Sequence, residues 1–169
     1  MEIPKISYGQ QLMRRFILSL TEARFVENYR SEWLFGMELD FYFPEFKIAI
    51  EFNGDQHYFE TEKFGSPEEQ KVRDWRKRDI CRKRGIKVIN ILAIDLIYSK
   101  LRGKFKNKLP LKPKGRKSGK SLNQEAIEYR KILKSCFGSP TASRKGCQPY
   151  LAAVKKLEEA AEKRKSENK

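Results

Sequence analysis

Residues 37–58 read MELDFYFPEFKIAIEFNGDQHY, and this stretch decides the fold. Large apolar side chains occupy every second position from Met37 to Phe43, and a similar alternation runs from Phe46 to Asn53. Alternation with a period of two is typical of β-strands that bury one face. A proline and a glutamate at residues 44–45 interrupt the pattern. The stretch therefore predicts a β-hairpin with a short turn.

The register of this hairpin decides where its acidic side chains meet. A two-residue turn at residues 44–45 predicts that Phe43 lies opposite Phe46. Asp40 and Glu51 then become diagonal neighbours on one face, with Cα atoms about 7–8 Å apart. A one-residue change in turn length would place the two carboxylates on opposite faces of the sheet, so the prediction is a specific one.

Acidic side chains gathered on one strand face indicate either a cation site or a solvated surface. Neighbouring carboxylates repel one another unless a cation neutralises them, and hard oxygen ligands favour Mg²⁺, with Mn²⁺ as a possible substitute. Glu38 is expected on the same face and is a possible further ligand. Glu51 lies within the apolar run of residues 48–52, where an unpaired carboxylate would destabilise the fold. This placement favours the cation site.

Further helices and strands are predicted on both sides of the hairpin. One helix shows apolar residues at helical spacing, and another begins with Ser-Pro-Glu-Glu and ends at Gly85. The resulting order is αβββαβα, which predicts an α/β fold with a mixed sheet. The predicted elements outside the hairpin are helix 8–20, strand 23–29, helix 66–85, strand 86–92 and helix 93–101.

The order of these motifs resembles the PD-(D/E)XK nuclease superfamily. Asp40 is followed, after ten intervening residues, by Glu51-Phe52-Asn53 on the next strand. Residues 38–58 are similar to the branch that includes very-short-patch repair endonucleases and phage and homing endonucleases. The resemblance covers about residues 7–92 and implies a restriction-endonuclease-like αβββαβ core. It also implies a metal-dependent DNA endonuclease that hydrolyses phosphodiester bonds through a metal-activated water.

The resemblance implies a set of metal ligands and two departures from the family pattern. Asp40 and Glu51 would bind Mg²⁺, and the backbone carbonyl of Phe52 could add a third ligand. Asn53 stands where the superfamily often has a lysine, and Gln10 stands near a position where relatives often have a glutamate. These two neutral side chains keep open an alternative, which is a weak or inactive nucleic-acid-binding module that retains the nuclease fold.

Several residues near the acids are candidate helpers in catalysis. His57 could act as a general base or contact a phosphate, although a lone histidine is more often structural. Gln56 could orient a water molecule. Lys77 could form a plain surface ion pair with Asp74, three residues away on the same helix face. If Lys77 instead points at the hairpin, it could replace the charge that is missing at Asn53.

Positive charge is concentrated in residues 104–169. Of a formal net charge of +15, residues 104–169 contribute +13. This indicates a polyanionic partner, which we predict to be DNA. We predict a nuclease domain at 1–103, a basic linker or arm at 104–120 and a basic helical extension at 121–169 that binds DNA. The candidate DNA-binding residues of the linker are Lys104, Lys106, Lys108, Lys112, Lys114, Arg116, Lys117 and Lys120.

Composition excludes several other classes of protein. Three cysteines without a CxxC pair support neither a disulfide framework nor a structural zinc site. The first residues lack the pattern of a signal peptide, and no apolar run reaches the ~20 residues that span a bilayer. We therefore expect a cytoplasmic, DNA-associated protein that is not secreted, contacts no membrane, needs no small-molecule cofactor and exists as a monomer or homodimer.

Overall fold

The computed structural model describes residues 7–53, 67–114 and 119–137, together with Glu159 and Lys163. Within these residues the fold is mixed α/β, with one four-stranded sheet and four α-helices. The helix and strand order predicted for residues 8–92 is confirmed. In chain order, the elements are α1 (Tyr8–Leu20), β1 (Val26–Arg30), β2 (Glu38–Phe43), β3 (Ile48–Asn53), α2 (Pro67–Lys83), β4 (Lys87–Leu92), α3 (Tyr98–Phe105) and α4 (Lys120–Phe137).

The four strands lie in the order β1-β2-β3-β4. The first three form an antiparallel meander, whereas β4 pairs parallel to β3. A parallel pair needs a crossover connection, and α2 lies in that connection. The sheet is therefore mixed, as the sequence predicts.

The hairpin turn between β2 and β3 is longer than predicted. Residues Pro44–Phe46 form a 3-10 turn, and Lys47 completes it in the left-handed region at φ 50°. Phe43 consequently pairs with Ile48, so the expected pairing of Phe43 with Phe46 is wrong. The register differs from the prediction by two residues. Because strand side chains alternate with a period of two, a shift of two still allows Asp40 and Glu51 to meet on one side of the hairpin.

The sheet separates two apolar clusters. Along β3, Ile48, Ile50 and Phe52 pack with α1, whereas Ala49 packs with Cys81 of α2. Neighbouring strand residues point to opposite faces, so α1 and α2 cover opposite faces of the sheet. The strand is buried on both sides, and Glu51 lies within it.

Local sequence signals set the ends of both covering helices. Ser7 caps α1 by accepting a hydrogen bond from the backbone N–H of Gln10, and the Gln10 side chain accepts one from the backbone N–H of Ser7. This reciprocal pair is a capping box. At the other helix, Gly85 follows the last turn of α2 with φ 71°. The predicted role of Gly85 as a C-terminal glycine is confirmed.

The chain after β4 departs from the prediction. The expected helix at 93–101 is replaced by a 3-10 turn at Ala93–Asp95 and by α3, which continues past residue 103. Tyr98, Leu101 and Phe105 are buried at helical spacing, which explains why the helix extends to Phe105. The chain then forms a β-bridge between Thr21 and Leu111.

Helix α4 packs against α1. Ala126, Tyr129 and Leu133 are buried in the same cluster as the apolar side of α1. Glu125 is also buried and accepts hydrogen bonds from Tyr8 at 2.5 Å and from Arg15 at 2.9 Å. Residues 98–137, where the structure describes them, thus share one core with the sheet. In the described part of the chain, no helix is long and apolar enough to cross a bilayer.

Candidate functional site

Asp40 and Glu51 meet where the two strands of the hairpin stop pairing. The last ladder pair towards this end is Phe41 with Ile50. One position further, side chains make the hydrogen bonds between the two strands. The backbone N–H of Phe52 donates to Asp40 Oδ2 at 2.8 Å, and the backbone N–H of Asp40 donates to Glu51 Oε1 at 3.3 Å. Each carboxylate is therefore fixed by the backbone of the other strand.

Asp40 lies where β2 changes the face that it buries. Leu39 belongs to the cluster under α2, whereas Phe41 belongs to the cluster under α1. Residues two apart on a regular strand share a face, so the strand turns over between them. The acid pair is consequently accessible from both faces of the sheet, and side chains of α1 and α2 can both reach it.

Helix α1 supplies Gln10 to this point. The Gln10 Nε2 donates to Asp40 Oδ1 at 2.9 Å, while its Oε1 accepts the N–H of Ser7 in the capping box. Because the oxygen of the amide is used by the cap, its NH₂ group faces Asp40. The local signal that begins the helix therefore also sets which end of Gln10 meets the carboxylate.

Helix α2 supplies Lys77 from the opposite face. The Lys77 Nζ donates to Glu51 Oε2 at 2.6 Å, and its side chain is only 15% exposed. Burial lowers the pKa of Lys77, but the charge and hydrogen bond of Glu51 outweigh it, so the pKa is raised. Lys77 thus stays charged beside the acid pair. It points at the hairpin, although Asp74 also contributes to its electrostatic surroundings.

Burial raises the pKa of both acids. For Asp40, burial outweighs the stabilising N–H of Phe52 and the charge of Lys77. For Glu51, burial and then repulsion from Asp40 outweigh the attraction of Lys77. The pKa of Lys77 is thus raised, as expected for an ion pair, but the pKa of its partner Glu51 is raised as well. The Asp40 carboxylate explains the difference, because it favours a charged lysine and disfavours a charged glutamate.

The donor set fits a hard divalent cation. Two carboxylates share one ammonium group, which leaves one negative charge uncompensated when both acids are ionised. A bound cation or a retained proton relieves such an imbalance. Within the described ranges, no group of three or more His, Cys, Asp or Glu side chains is gathered for a metal. A cation here would use the two acids, backbone oxygen and water, a mixture that Mg²⁺ accepts.

The other predicted site residues lie around this centre or outside the described residues. Glu38 binds Arg30 at 2.7 Å on the half-exposed side of β2. Asn53 ends β3, half-buried, and pairs in register with Leu92. Phe52 lies beside Glu51, and its N–H holds Asp40. Gln56 and His57 lie outside the described residues.

Three of the predicted DNA-binding lysines are used by the fold. Lys104 pairs with Asp95 at 2.8 Å, Lys108 donates to the carbonyl of Lys104, and Lys112 donates to the carbonyl of Leu18 at 3.1 Å. The arm is therefore folded against the core up to residue 112. Of the remaining candidates, Lys106, Lys114 and Lys120 are exposed, and Arg116 and Lys117 lie outside the described residues.

Sequence reasoning missed the residues that hold α1 in place behind the acids. Gly9 faces the buried ring of Phe52 and the hydroxyl of Tyr129 so closely that a Cβ would overlap the ring and lie 2.7 Å from the hydroxyl. The Ser-x-x-Gln pattern at residues 7–10 was a readable capping signal. No local pattern connects residues 9 and 129.

Cys81 belongs to α2, one helical turn after Lys77, and packs against the sheet. Burial and then the charge of Glu51 raise the pKa of its thiol to about 11. A thiol of this kind stays protonated and unreactive at neutral pH. We therefore assign Cys81 to packing.

Comparison of the chain with protein-family models, with curated proteins and with solved structures found no match.

Proposed function

We propose that this protein is a metal-dependent endonuclease that hydrolyses DNA phosphodiester bonds and has a restriction-endonuclease-like core. The observation that supports the proposal best is the meeting of Asp40 and Glu51 at the end of the hairpin. The two carboxylates are held there, partly shielded from water, and Lys77 contacts Glu51. Such an arrangement is costly for a fold that makes no use of it.

Asp40, Glu51 and the backbone carbonyl of Phe52 are the groups that would hold Mg²⁺. Bound there, the ion supplies the positive charge that polarises a phosphodiester and activates water. The hydrogen bonds from Phe52 and Gln10 fix the direction of the Asp40 carboxylate before any ligand arrives. Preorganised groups lose little freedom when a ligand binds, which favours catalysis.

Lys77 takes the place of the cation that the family pattern leads us to expect at Asn53. The ammonium group of Lys77 contacts Glu51, and the charge of Glu51 keeps this group protonated. A phosphate that approaches the acids must otherwise overcome their negative charge. Lys77 lowers this barrier and can contact the phosphate oxygen that gains charge during hydrolysis.

The protein's charge supports nucleic acid as the substrate. A formal net charge of +15 attracts polyanions and steers them towards the surface. A polyphosphate backbone is therefore the substrate that matches both the chemistry of the site and the charge of the chain.

A plasmid assay tests the proposal. We expect the purified protein to relax or linearise supercoiled plasmid in Mg²⁺ or Mn²⁺ and to leave it intact in EDTA. Asp40→Asn and Glu51→Gln, which keep side-chain size, should each lower the rate at least about 100-fold. Glu45→Gln is the matched control, because Glu45 is exposed in the hairpin turn, away from the acid pair. Cutting by Asp40→Asn and Glu51→Gln at the parental rate would refute the proposal.

A second function is supported by a separate observation. Each oxygen of Asp40 and Glu51 already accepts a hydrogen bond, from Gln10, Phe52, Asp40 or Lys77. A site satisfied in this way is also compatible with a nucleic-acid-binding module that performs no chemistry. Calorimetric titration with Mg²⁺ separates the two functions. Absence of both cation binding and cutting, with DNA binding retained, would favour the module.

A further inference from the structure

Residues 71–76, in the first half of α2, are mostly exposed. Lys71, Val72, Arg73, Trp75 and Arg76 are all exposed, and Asp74 is half-buried. The second half is different, because Lys77 reaches the acid pair and Cys81 is buried under the sheet. The helix therefore packs through its second half, and its first half projects from the body beside the candidate site.

The projecting half presents an apolar ridge to solvent. Val72 and Trp75 are 63% and 65% exposed, and they lie three residues apart on one side of the helix. Trp33, the other tryptophan, packs in the cluster under α2, where Arg84 covers its ring. An exposed tryptophan and valine side by side leave apolar area in water, and covering that area with a partner would recover the free energy of burial.

Cations flank this ridge. Residues 71–78 read KVRDWRKR, which is five cations and one acid. At about 100° of helix rotation per residue, Lys71 and Arg78 lie roughly 70–90° to one side of the ridge and Arg76 roughly 70° to the other. Lys71, Arg73 and Arg76 make no ion pair with another described residue. An apolar centre with positive flanks is complementary to a groove with phosphates along both edges.

We infer that residues 71–78 of α2 lie in the major groove of duplex DNA, with Val72 and Trp75 against base edges and the flanking cations at the phosphates. The major groove admits an α-helix, and the minor groove is too narrow for one. Lys77 lies on the side of the helix that faces the protein body, opposite the ridge, and touches Glu51. A duplex seated on the ridge therefore lies across α2 from the acid pair.

This inference rests on the proposed function for its choice of DNA, but it is tested without cleavage. The probe is a fluorescein-labelled 20-base-pair duplex of arbitrary sequence, with its single strand for comparison, and binding is followed by anisotropy in EDTA. We expect Trp75→Ala to weaken duplex binding roughly tenfold or more, and Val72→Ala to weaken it less. Lys71→Ala and Arg76→Ala should each lower the salt dependence of binding by about one ion.

Arg24→Ala and Phe46→Ala provide matched controls. Both residues are exposed and lie near the hairpin turn, at the other end of the sheet from Asn53. They should bind the duplex like the parent. Thermal unfolding of every variant checks that the fold is kept, which we expect because Trp75 is mostly exposed.

Three results would overturn the inference. They are a parent that does not bind the duplex, α2 variants that bind as tightly as the parent, and a parent that prefers the single strand to the duplex. Cleavage by Asp40→Asn, measured separately in Mg²⁺, would refute the proposed function and leave the binding result standing. The two ideas can therefore fail independently.

Discussion

Gln10 is held by two hydrogen bonds that use opposite ends of its amide. Its oxygen accepts the N–H of Ser7, and its NH₂ group donates to Asp40. A glutamate at this position could keep the capping bond but would direct a second oxygen at the Asp40 carboxylate. Glutamine is therefore the side chain of this length that satisfies both neighbours without a bound cation.

Gln10→Glu should destabilise the protein in EDTA by about 1–3 kcal/mol, because a third carboxylate joins two acids that are already poorly compensated. Excess Mg²⁺ should remove most of this loss if the acids bind the cation. Chemical unfolding in both buffers measures the effect. Gln11→Glu is the control, since Gln11 is exposed on the next position of the same helix turn. Equal effects of the two substitutions would show that Asp40 does not sense residue 10.

Glu51 makes the stability of the metal-free protein depend on pH. Burial, and then the charge of Asp40, raise the pKa of Glu51 to about 7, above its unfolded value of about 4.3. A raised pKa means that the stabilising contribution is fully present below the unfolded pKa and is lost as the pH rises through the folded pKa. Stability should therefore fall between about pH 4.5 and pH 7.5, by on the order of 2–3 kcal/mol.

Urea unfolding in EDTA across this range tests the pH dependence. Glu51→Gln cannot ionise at this position, so its stability should change less with pH than that of the parent. A parent whose stability rises steadily from pH 5 to pH 7.5 would contradict the expectation. The same would hold for a Glu51→Gln variant that kept the full slope.

At the level of single residues, the sequence predicts that Asp40 and Glu51 meet. It does not predict which other side chains contact these two acids. The alternation around Asp40 and Glu51 survives a turn that is two residues longer than expected, because both lengths have the same parity. Lys77 could face either Asp74 or the hairpin. That choice depends on how far α2 rotates over the sheet, and its weak apolar stripe does not fix the rotation.

At the scale of the element, α1 owes its position to a glycine. Alanine stabilises helix interiors relative to glycine by about 1 kcal/mol, but a Cβ at Gly9 would overlap the Phe52 ring. Close approach of α1 to β3 is what lets Gln10 reach Asp40. Steric exclusion therefore outweighs helix propensity at this position.

Gly9→Ala should cost about 2–4 kcal/mol of folding free energy despite its better helix propensity. Gly103→Ala is the matched control, because Gly103 lies in α3 and a Cβ there meets nothing within 4 Å. That variant should be neutral or more stable by up to about 1 kcal/mol. Thermal unfolding of both variants decides the matter, and a stabilised Gly9→Ala protein would refute the close approach.

The sequence predicts the bounds of some helices and strands better than those of others. The bounds of α1 follow from a strong apolar stripe and a cap, and those of β2 and β3 follow from alternation. The chain beyond Leu92 is harder, because Lys100, Arg102 and Lys104 stand between the buried positions of α3 and interrupt its apolar pattern. Residues 104–112 show a linker-like composition yet complete the core.

At the scale of the whole molecule, a buried ion pair joins the two ends of the described fold. Glu125 of α4 accepts hydrogen bonds from Tyr8 and Arg15 of α1. Burial, followed by the Glu125 hydrogen bond, raises the pKa of Tyr8. These residues are more than 100 positions apart in the sequence. The residue pattern of neither helix predicts that α1 and α4 pack together. The apolar stripe of α4 favours packing, but it does not show that α1 is the surface against which α4 packs.

Glu125→Ala should destabilise the protein by about 3–5 kcal/mol, because it leaves the Arg15 guanidinium partly buried without its carboxylate. Glu128→Ala removes the same side chain one turn later, where it is half-exposed, and should cost less than about 0.5 kcal/mol. Denaturant unfolding compares the two variants. Similar small losses would mean that α4 contributes little to the core.

The contact between α1 and α4 also has a consequence for biosynthesis. Helix α1 leaves the ribosome first, but Glu125 and Tyr129, which complete its buried surroundings, are translated more than 100 residues later. At about 5–20 residues per second, the nascent chain waits several seconds or longer before α1 can dock fully. Gln10 acquires its final position with α1, so the acid pair is assembled late in translation. The hydrogen bond from Gln10 to Asp40 therefore reaches its final geometry only after α4 has been translated.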